Sequence, residues 1–206
     1  MSNKHPRIYL ASQSPRRREL LKQIGVHFDV LLLRTAPRRH VDVDETPHAD
    51  ELPEIYVQRL SREKAQAGYA ALNYRKLALQ PVLAADTTVT LNGKIFGKPQ
   101  NAEEGAAMLR ELAGRDHQVL TAVAVALGEH VEVRLSVSTV RFTQLSEERI
   151  SRYLKHGEYS DKAGGYGIQG HAASFIEHLS GSYSGVMGLP IFETVQLLKH
   201  VDFPTP

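Results

Sequence analysis

The ten residues VLAADTTVTL occupy positions 82 to 91, and Asn92-Gly93 follows them directly. The first four form an apolar run typical of a buried strand, which ends in Asp86. The next five are rich in β-branched residues and continue in extended conformation. Because Asn-Gly favours a tight hairpin turn, residues 94–97 are predicted to return along the same strand. This stretch therefore predicts part of a sheet with a carboxylate where the apolar run stops.

Helical and extended patterns alternate on both sides of this stretch. The predicted strands are Ile8–Ala11, Val26–Leu33, His117–Leu127, Val131–Phe142 and Ser174–Leu179. The predicted helices are Arg17–Ile24, Glu54–Leu72, Ala102–Leu112, a helix from Ser146 to near Gly157, and Pro190–His200. Asp161–Gly170 and Gly181–Gly188 are predicted loops. This alternation predicts an α/β fold with one mixed sheet, and 206 residues suit a single domain or two small lobes that share a sheet.

The charge of the chain is nearly balanced. Lys and Arg total 25, Asp and Glu total 23, and the net charge is +2. Such a balance is not typical of a protein that works on nucleic acid. Basic residues nevertheless cluster at Arg16–Arg18 and again at Arg34, Arg38, Arg39 and His40. Local clusters on a near-neutral chain favour a small anionic ligand over a long polyanion.

Several classes of protein are disfavoured by composition. No apolar run approaches the roughly 20 residues that cross a bilayer. Met1–Arg7 is polar and basic and lacks the apolar core of a secretory signal. The chain has no cysteine, which excludes disulfides, thiolate metal sites and a cysteine nucleophile. We therefore expect a cytoplasmic protein without a membrane partner.

The segment Ser12–Arg17 follows a predicted strand and opens a predicted helix. Ser14 suits the N-cap of this helix, and Pro15 suits its first position. Free backbone N–H groups and the helix dipole favour an anion there, and Arg17 adds a fork that matches phosphate. The alternative is a capped helix with solvated arginines. A nucleotide-binding P-loop is excluded because its glycine and lysine pattern is absent.

Asp86 is the central candidate. Ligands of open α/β sheets collect beyond the carboxyl ends of strands, where a carboxylate holds a cation or accepts a proton. The alternative, an N-cap or turn aspartate, is weakened because no helical pattern follows. Three further candidates each have a structural alternative. Lys64 either snorkels to water or faces a charged cleft. Lys98 is either a turn lysine or an anion ligand, and Glu45 is either solvated charge or part of a site.

The glycine-rich segment Asp161–Gly170 is a further candidate. Its four glycines allow the backbone to approach a ligand closely. The alternative is a flexible loop, but the pair Ile168-Gln169 favours a shaped one. His117 is interpreted as structural, and the histidines show no spacing typical of a metal site.

The motifs in combination resemble the Maf family of nucleoside triphosphate pyrophosphatases. The resemblance covers about Ile8 to Leu198 and rests on LASQSPRR at 10–17, DETP at 44–47, REKA at 62–65, ADT at 85–87, GKP at 97–99, HQV at 117–119, DKAG at 161–164 and GLP at 188–190. The segment YGIQG at 166–170 resembles the branch that acts on dTTP and UTP. The stretch from Leu32 to Val41 departs from the family pattern, because it is longer and more basic.

The resemblance implies a fold and a reaction. The fold is an elongated mixed sheet flanked by helices, with two lobes and a central cleft, in one domain over residues 1–206. The reaction releases pyrophosphate from dTTP or UTP, with a divalent cation such as Mg²⁺, Mn²⁺ or Co²⁺.

The resemblance also implies site residues. Asp86 is the catalytic position, and Asp86 with Glu45 forms the metal site. The phosphate-binding positions are Ser12, Arg17, Lys64, Lys98 and Lys162. The specificity positions are Arg16, Thr87 and Gln169. Whether Asp86 acts as general base or as metal ligand stays open on the sequence.

Two alternatives to this function are retained. One is hydrolysis of modified pyrimidine triphosphates, a housecleaning role. The other is a non-enzymatic cell-division regulator or nucleic-acid-binding protein, which the basic clusters favour and the lack of an aromatic stacking motif disfavours. The expected partner is a nucleoside triphosphate, without stable nucleic acid, and a homodimer is compatible with the sequence.

Overall fold

Strands and helices alternate along residues 6–34 and 42–205, which are the residues that the computed structural model describes. The strands are β1 (Ile8–Leu10), β2 (Phe28–Val30), β3 (Val82–Leu91), β4 (Lys94–Phe96), β5 (Asp116–Leu127), β6 (His130–Phe142) and β7 (Ile176–Ser180). The α-helices are α1 (Pro15–Gln23), α2 (Pro53–Tyr74), α3 (Ala102–Leu112), α4 (Glu147–Leu154), α5 (Tyr183–Met187) and α6 (Ile191–His200). Short 3₁₀ helices cover Ala163–Gly165 and His171–Phe175.

The strands form one seven-stranded mixed sheet in the order β2-β1-β3-β5-β6-β7, with β4 attached to β3. β1 runs parallel to β2 and β3, whereas the pairs β3–β4, β3–β5, β5–β6 and β6–β7 are antiparallel. The predicted mixed α/β sheet is confirmed. The predicted hairpin turn is confirmed as well, because Asn92 and Gly93 both adopt positive φ angles between β3 and β4.

One edge of β3 is interrupted in its middle. β5 pairs with β3 continuously from Val82 to Thr90 on one side. On the other side, β1 pairs only as far as Leu83, and β4 begins to pair at Val89. Among the described residues, positions 84–88 therefore have no strand neighbour on this edge. The prediction that Asp86 ends a strand is wrong: it lies inside β3, and the opening beside it comes from the shortness of β1 and β4.

The alternation of side chains along β3 builds a core on each face of the sheet. Val82 and Ala84 pack in a cluster with residues of α2. Leu83 and Ala85 pack in another cluster with residues of α1 and α6. A third cluster joins α3 and α4 to the far end of the sheet. Because side chains alternate between faces, Asp86 belongs to the α2 face and Thr87 to the opposite face.

Apart from shifts at element ends and the two 3₁₀ helices, two predicted elements differ from the structure. The strand expected over Val26–Leu33 is only Phe28–Val30, because Val26 N–H instead closes the end of α1 by donating to the Leu21 carbonyl. The loop expected over Gly181–Gly188 contains α5, whose N-cap Ser182 accepts from Gly185 N–H at 3.0 Å. Of the basic cluster near Arg34, residues Arg38, Arg39 and His40 lie outside the described residues. No helix in the described ranges has the length and hydropathy needed to cross a membrane.

Candidate active site

The interrupted edge of β3 opens into a cavity of about 840 Å³. Its walls come from the start of α1, the segment before α2, the middle of β3, the β4 turn, the glycine-rich segment and the end of α5. Every predicted site residue lines it: Ser12, Arg16, Arg17, Glu45, Lys64, Asp86, Thr87, Lys98, Lys162 and Gln169. The residues that the family resemblance implies for the site therefore lie around one cavity.

Lys64 joins two carboxylates at the α2 side of the cavity. Its Nζ lies 2.6 Å from Asp86 Oδ1 and 2.8 Å from Glu45 Oε1. The side chains of Lys64 and Asp86 are each only 13% exposed. Lys64 therefore faces a charged cleft, and the alternative that it snorkels to water is wrong. The residue lies on the inner stripe of α2, where a lysine needs a partner of opposite charge.

The shifted pKa values in this cluster reflect competition between burial and charge. Burial alone would lower the pKa of Lys64, but the Asp86 and Glu45 carboxylates outweigh it and raise that pKa. Burial alone would raise the pKa of Glu45, but Lys64, together with the charges of Lys98 and Arg17, lowers it. Both shifts favour the charged forms, so Lys64 is positive and Glu45 is negative at neutral pH.

Arg17 lies on the opposite face of the sheet and is held by neutral acceptors. Its Nε donates to the Gly188 carbonyl at 2.7 Å, and its two terminal nitrogens donate to Ser12 Oγ at 3.2 Å and Thr87 Oγ1 at 3.3 Å. Burial lowers the pKa of Arg17, and the charge of Asp86 partly offsets this. Because its acceptors are uncharged, the guanidinium keeps its positive charge available for a phosphate.

Ser14 also has its predicted role. Its hydroxyl accepts from Arg17 N–H at the start of α1, with Pro15 in the first turn. The capped helix and the anion site are therefore compatible, since α1 begins at the cavity wall.

The glycine-rich segment forms another wall of the cavity and lies near the first turn of α1. Lys162 Nζ donates to the Glu158 carbonyl and to Asp161 Oδ1, both at 2.5 Å. Asp161 Oδ2 also lies 3.6 Å from Arg16. A Cβ added at Gly167 would lie 2.8 Å from the Lys162 side chain. The absence of a side chain at this glycine therefore lets Lys162 lie along the loop.

A buried pair anchors the same segment to the sheet. His117 Nε2 and the Tyr166 hydroxyl are 2.7 Å apart, and Phe142 packs edge-on against both rings. Burial lowers the pKa of His117 to about 4, so its ring is neutral at physiological pH. This contact fits the structural role predicted for His117 and shows that the segment is a shaped loop.

Sequence reasoning missed several residues of the site. Thr121 Oγ1 lies 3.0 Å from Thr87 Oγ1 and donates to the Gly185 carbonyl, which fixes Thr87 beneath Arg17. The sequence signal for Thr121 was weak, because this residue is a single hydroxyl inside an apolar run. Tyr56 lines the cavity, and its place eight residues before Lys64 on one helix stripe was a usable signal. Thr88 also lines the cavity, and its buried hydroxyl has no partner among the described residues.

The two carboxylates of the cavity fit a divalent cation that takes its other ligands from outside the chain. Glu45 and Asp86 approach one ammonium nitrogen together, so they are close enough to share a cation. In the described part of the chain, no group of three or more His, Cys, Asp or Glu side chains is placed to hold a metal by itself. Mg²⁺ commonly uses one or two carboxylates together with phosphate oxygens and water, and Glu45 and Asp86 are suited to be those carboxylates.

A family model described as Maf-like protein matches residues 7–201. The chain belongs to the Maf family. The family predicted from the sequence motifs is thus confirmed, and the match spans the elements that line the cavity.

Three relatives of this Maf family member share one functional name. A protein of Nitrosospira multiformis is 58% identical over 94% of this chain and 93% of its own. A protein of Aromatoleum aromaticum is 55% identical over 96% of this chain and 97% of its own. A protein of Chromobacterium violaceum is 48% identical over the full length of both chains. All three are named dTTP/UTP pyrophosphatase. Among solved structures, the Staphylococcus aureus Ham1 protein aligns at a TM-score of 0.47 with 19% identity over 82% of this chain and 79% of its own.

Proposed function

We propose that this Maf protein hydrolyses dTTP and UTP to the nucleoside monophosphate and pyrophosphate. One observation carries the proposal. Lys64, with the Glu45 and Asp86 carboxylates that it pairs with, lines the same cavity as Arg17. The names of the close relatives support the same substrates. The site thus combines fixed positive charge for a triphosphate with carboxylates for a cation and a proton.

The chemistry follows from where the charges lie. Water attacks the α-phosphorus, the bond from that phosphorus to the bridging oxygen breaks, and pyrophosphate leaves with the electron pair. Asp86 accepts the proton of the attacking water, a role worth about 10²–10⁴-fold in rate. Arg17, Lys98 and Lys162 stabilise the charge on the phosphates. A bound divalent cation would supply further charge neutralisation, with Glu45 and Asp86 as its protein ligands.

Lys64 has a role distinct from the other lysines. Its ammonium already balances two carboxylates, so it sets the distance between Glu45 and Asp86 before substrate enters. A preorganised charge of this kind avoids reorganisation during the reaction. We propose that it also contacts a phosphate oxygen once the triphosphate is bound.

Base selection involves the glycine-rich segment, which carries Gln169. Gln169 is exposed at the cavity, and its amide can accept from the imide N–H of uracil or thymine and donate to a carbonyl. The same amide can rotate to follow cytosine, so Arg16 and Thr87 have to add to the discrimination. Thr87 is rigid because its hydroxyl is bonded to both Arg17 and Thr121. A rigid polar group leaves a wrong base unpaired, which is how sites reject close analogues.

The test is pyrophosphate release across a panel of triphosphates with Mg²⁺, Mn²⁺ or Co²⁺. The panel contains the common ribo- and deoxynucleotides and 5-methyl and pseudouridine triphosphates. We expect dTTP and UTP to give the highest kcat/KM, with pyrophosphate rather than orthophosphate as product. Faster hydrolysis of purine triphosphates would refute the base assignment. Tight RNA or DNA binding without pyrophosphate release would refute the enzymatic function.

The cellular setting stays a prediction. We propose a cytoplasmic enzyme that acts without nucleic acid as a partner, and a homodimer is testable by light scattering of the purified protein. Localisation of a fluorescent fusion tests the compartment.

A further inference from the structure

The segment that carries Glu45 has no regular secondary structure, yet Glu45 Oε1 lies only 2.8 Å from Lys64 Nζ. Its start is tied by Asp42, which accepts from Arg34 N–H at 2.7 Å and from Arg34 Nε at 2.8 Å. The backbone around Glu45 is fixed separately, by hydrogen bonds from two side chains of α2 that have no assigned role in the reaction.

The two side chains bind consecutive backbone carbonyls around Glu45. The Tyr56 hydroxyl donates to the Glu45 carbonyl at 3.0 Å. The terminal nitrogens of Arg59 donate to the carbonyls on either side, Asp44 at 3.5 Å and Thr46 at 3.2 Å. The backbone is thus fixed at the residue that has to present a carboxylate, while the Glu45 side chain stays half exposed toward the cavity at 51%.

Arg59 is itself held more firmly than a surface arginine. Its Nε and one terminal nitrogen each donate to a different oxygen of Glu51 at 2.7 Å, a bidentate pair in which Glu51 is only 6% exposed. The guanidinium also lies over the Tyr56 ring, 5.6 Å from its centroid. Bidentate pairing adds geometric specificity that a lysine cannot reproduce.

We propose that Arg59, fixed by Glu51 and supported by Tyr56, is a positioning residue that sets Glu45 for cation binding. The proposal rests on the proposed function, because it gives Glu45 its role as a metal ligand. α2 then has two tasks: Lys64 pairs with the carboxylates, and the preceding turns hold the segment that brings one of them. Residues that orient metal ligands typically alter metal affinity or activity 10- to 100-fold when changed.

The test measures Mn²⁺ binding directly, by electron paramagnetic resonance of free Mn²⁺, in the presence of an α,β-methylene analogue of dTTP. Arg59→Lys keeps the charge and loses the fork, and we expect its Kd for Mn²⁺ to rise about tenfold or more. Arg62→Lys is the matched control, since this exposed arginine of the same helix donates to the Val131 carbonyl, away from the cavity. Its Kd should equal that of the wild type.

A double-mutant cycle separates positioning from general stability. If Arg59 acts through Glu45, adding Arg59→Lys to Glu45→Gln produces no further loss of Mn²⁺ affinity. A merely structural role would produce the same loss in both backgrounds and would refute the proposal. Should Arg59→Lys fail to fold, Glu51→Gln replaces it, with a smaller shift expected in the same direction.

Failure of this inference is distinct from failure of the proposed function. If Glu45→Gln weakens Mn²⁺ binding while Arg59→Lys and Glu51→Gln match Arg62→Lys, the positioning role is refuted and the metal site stands. If the wild type and Arg62→Lys release no pyrophosphate from dTTP, the function is refuted. The Mn²⁺ titration still decides the role of Arg59 in that case.

Discussion

Asp86 shares the Lys64 ammonium with Glu45, so an amide at this position removes charge while it keeps the shape of the side chain. We predict that Asp86→Asn lowers turnover by at least about 10²-fold, because the proton acceptor is lost. Pyrophosphate release from dTTP measures the effect, and circular dichroism checks the fold. Asp116→Asn is the control, since that exposed aspartate pairs with Arg141 outside the cavity. Turnover near the wild-type value would remove Asp86 from the mechanism.

His117 provides a pH prediction at the same scale. Burial lowers its pKa from 6.5 to about 4, so the unfolded chain takes up a proton at a pH where the folded protein does not. The His117 contribution to the free energy of unfolding therefore decreases as the pH drops from 6.5 toward 4, and it does not change further below that range. An NMR titration, with the resonance assigned by His117→Gln, should give a midpoint near 4. A midpoint near 6.5 would contradict the buried, neutral ring.

At the scale of elements, the glycine-rich segment depends on the space left at Gly167. Its φ is not in the left-handed region, so Gly167→Ala is not strained by the backbone, but the new Cβ would meet Lys162 at 2.8 Å. We predict that Lys162 is displaced and that kcat/KM for dTTP falls about tenfold, with little change in Tm. Steady-state kinetics and a thermal melt measure the two effects.

The outcome depends on Lys162 and is checked with a double variant. In a Lys162→Ala background, Gly167→Ala should cost nothing further, because the displaced side chain is gone. An equal loss in both backgrounds would show that the glycine acts through the loop backbone instead.

Local sequence signals predicted the elements that depend on neighbours along the chain. Ser14 at the N-cap of α1 and Asn92-Gly93 at the hairpin turn are both confirmed, because caps and turns are determined by a few adjacent residues. The strand predicted over Val26–Leu33 was too long, and α5 was missed. Strand length is set by pairing partners, and β1 offers β2 only three residues. No local pattern contains that information.

The same limit applies to the site. Lys64 could be placed on the inner stripe of α2, and the family motifs identified the other predicted residues that line the cavity. The contact between Thr87 and Thr121 could not be foreseen, because it depends on the register of β3 against β5. The single domain with two lobes stays a prediction.

For the whole molecule, the important property is that the cavity gathers segments far apart in sequence. Ser12, Glu45, Asp86, Lys162 and Gly188 all line it. A ligand that bridges these segments binds the folded chain and not the unfolded one. We predict that an α,β-methylene analogue of dTTP with Mg²⁺, at 100 times its Kd, raises the free energy of unfolding by about 2.7 kcal/mol.

Denaturant unfolding with and without the analogue measures this gain. A chelator should remove the part that depends on the cation, and Asp116→Asn should behave as the wild type. No shift at saturating analogue would show that the cavity does not bind the triphosphate.

The interrupted edge of β3 has a consequence for how such an enzyme can diversify. Asp86 and Thr87 are adjacent in the chain, but one points toward α2 and the other toward α1 and α6. The opening lets a single ligand touch both surfaces of the sheet. With the proposed roles, the proton acceptor Asp86 lies on one side of the strand, whereas Arg17 and Thr87 lie on the other and are bonded to each other. We therefore expect that new selectivity can arise beside Thr87 without change at Asp86, provided that the contact with Arg17 is kept.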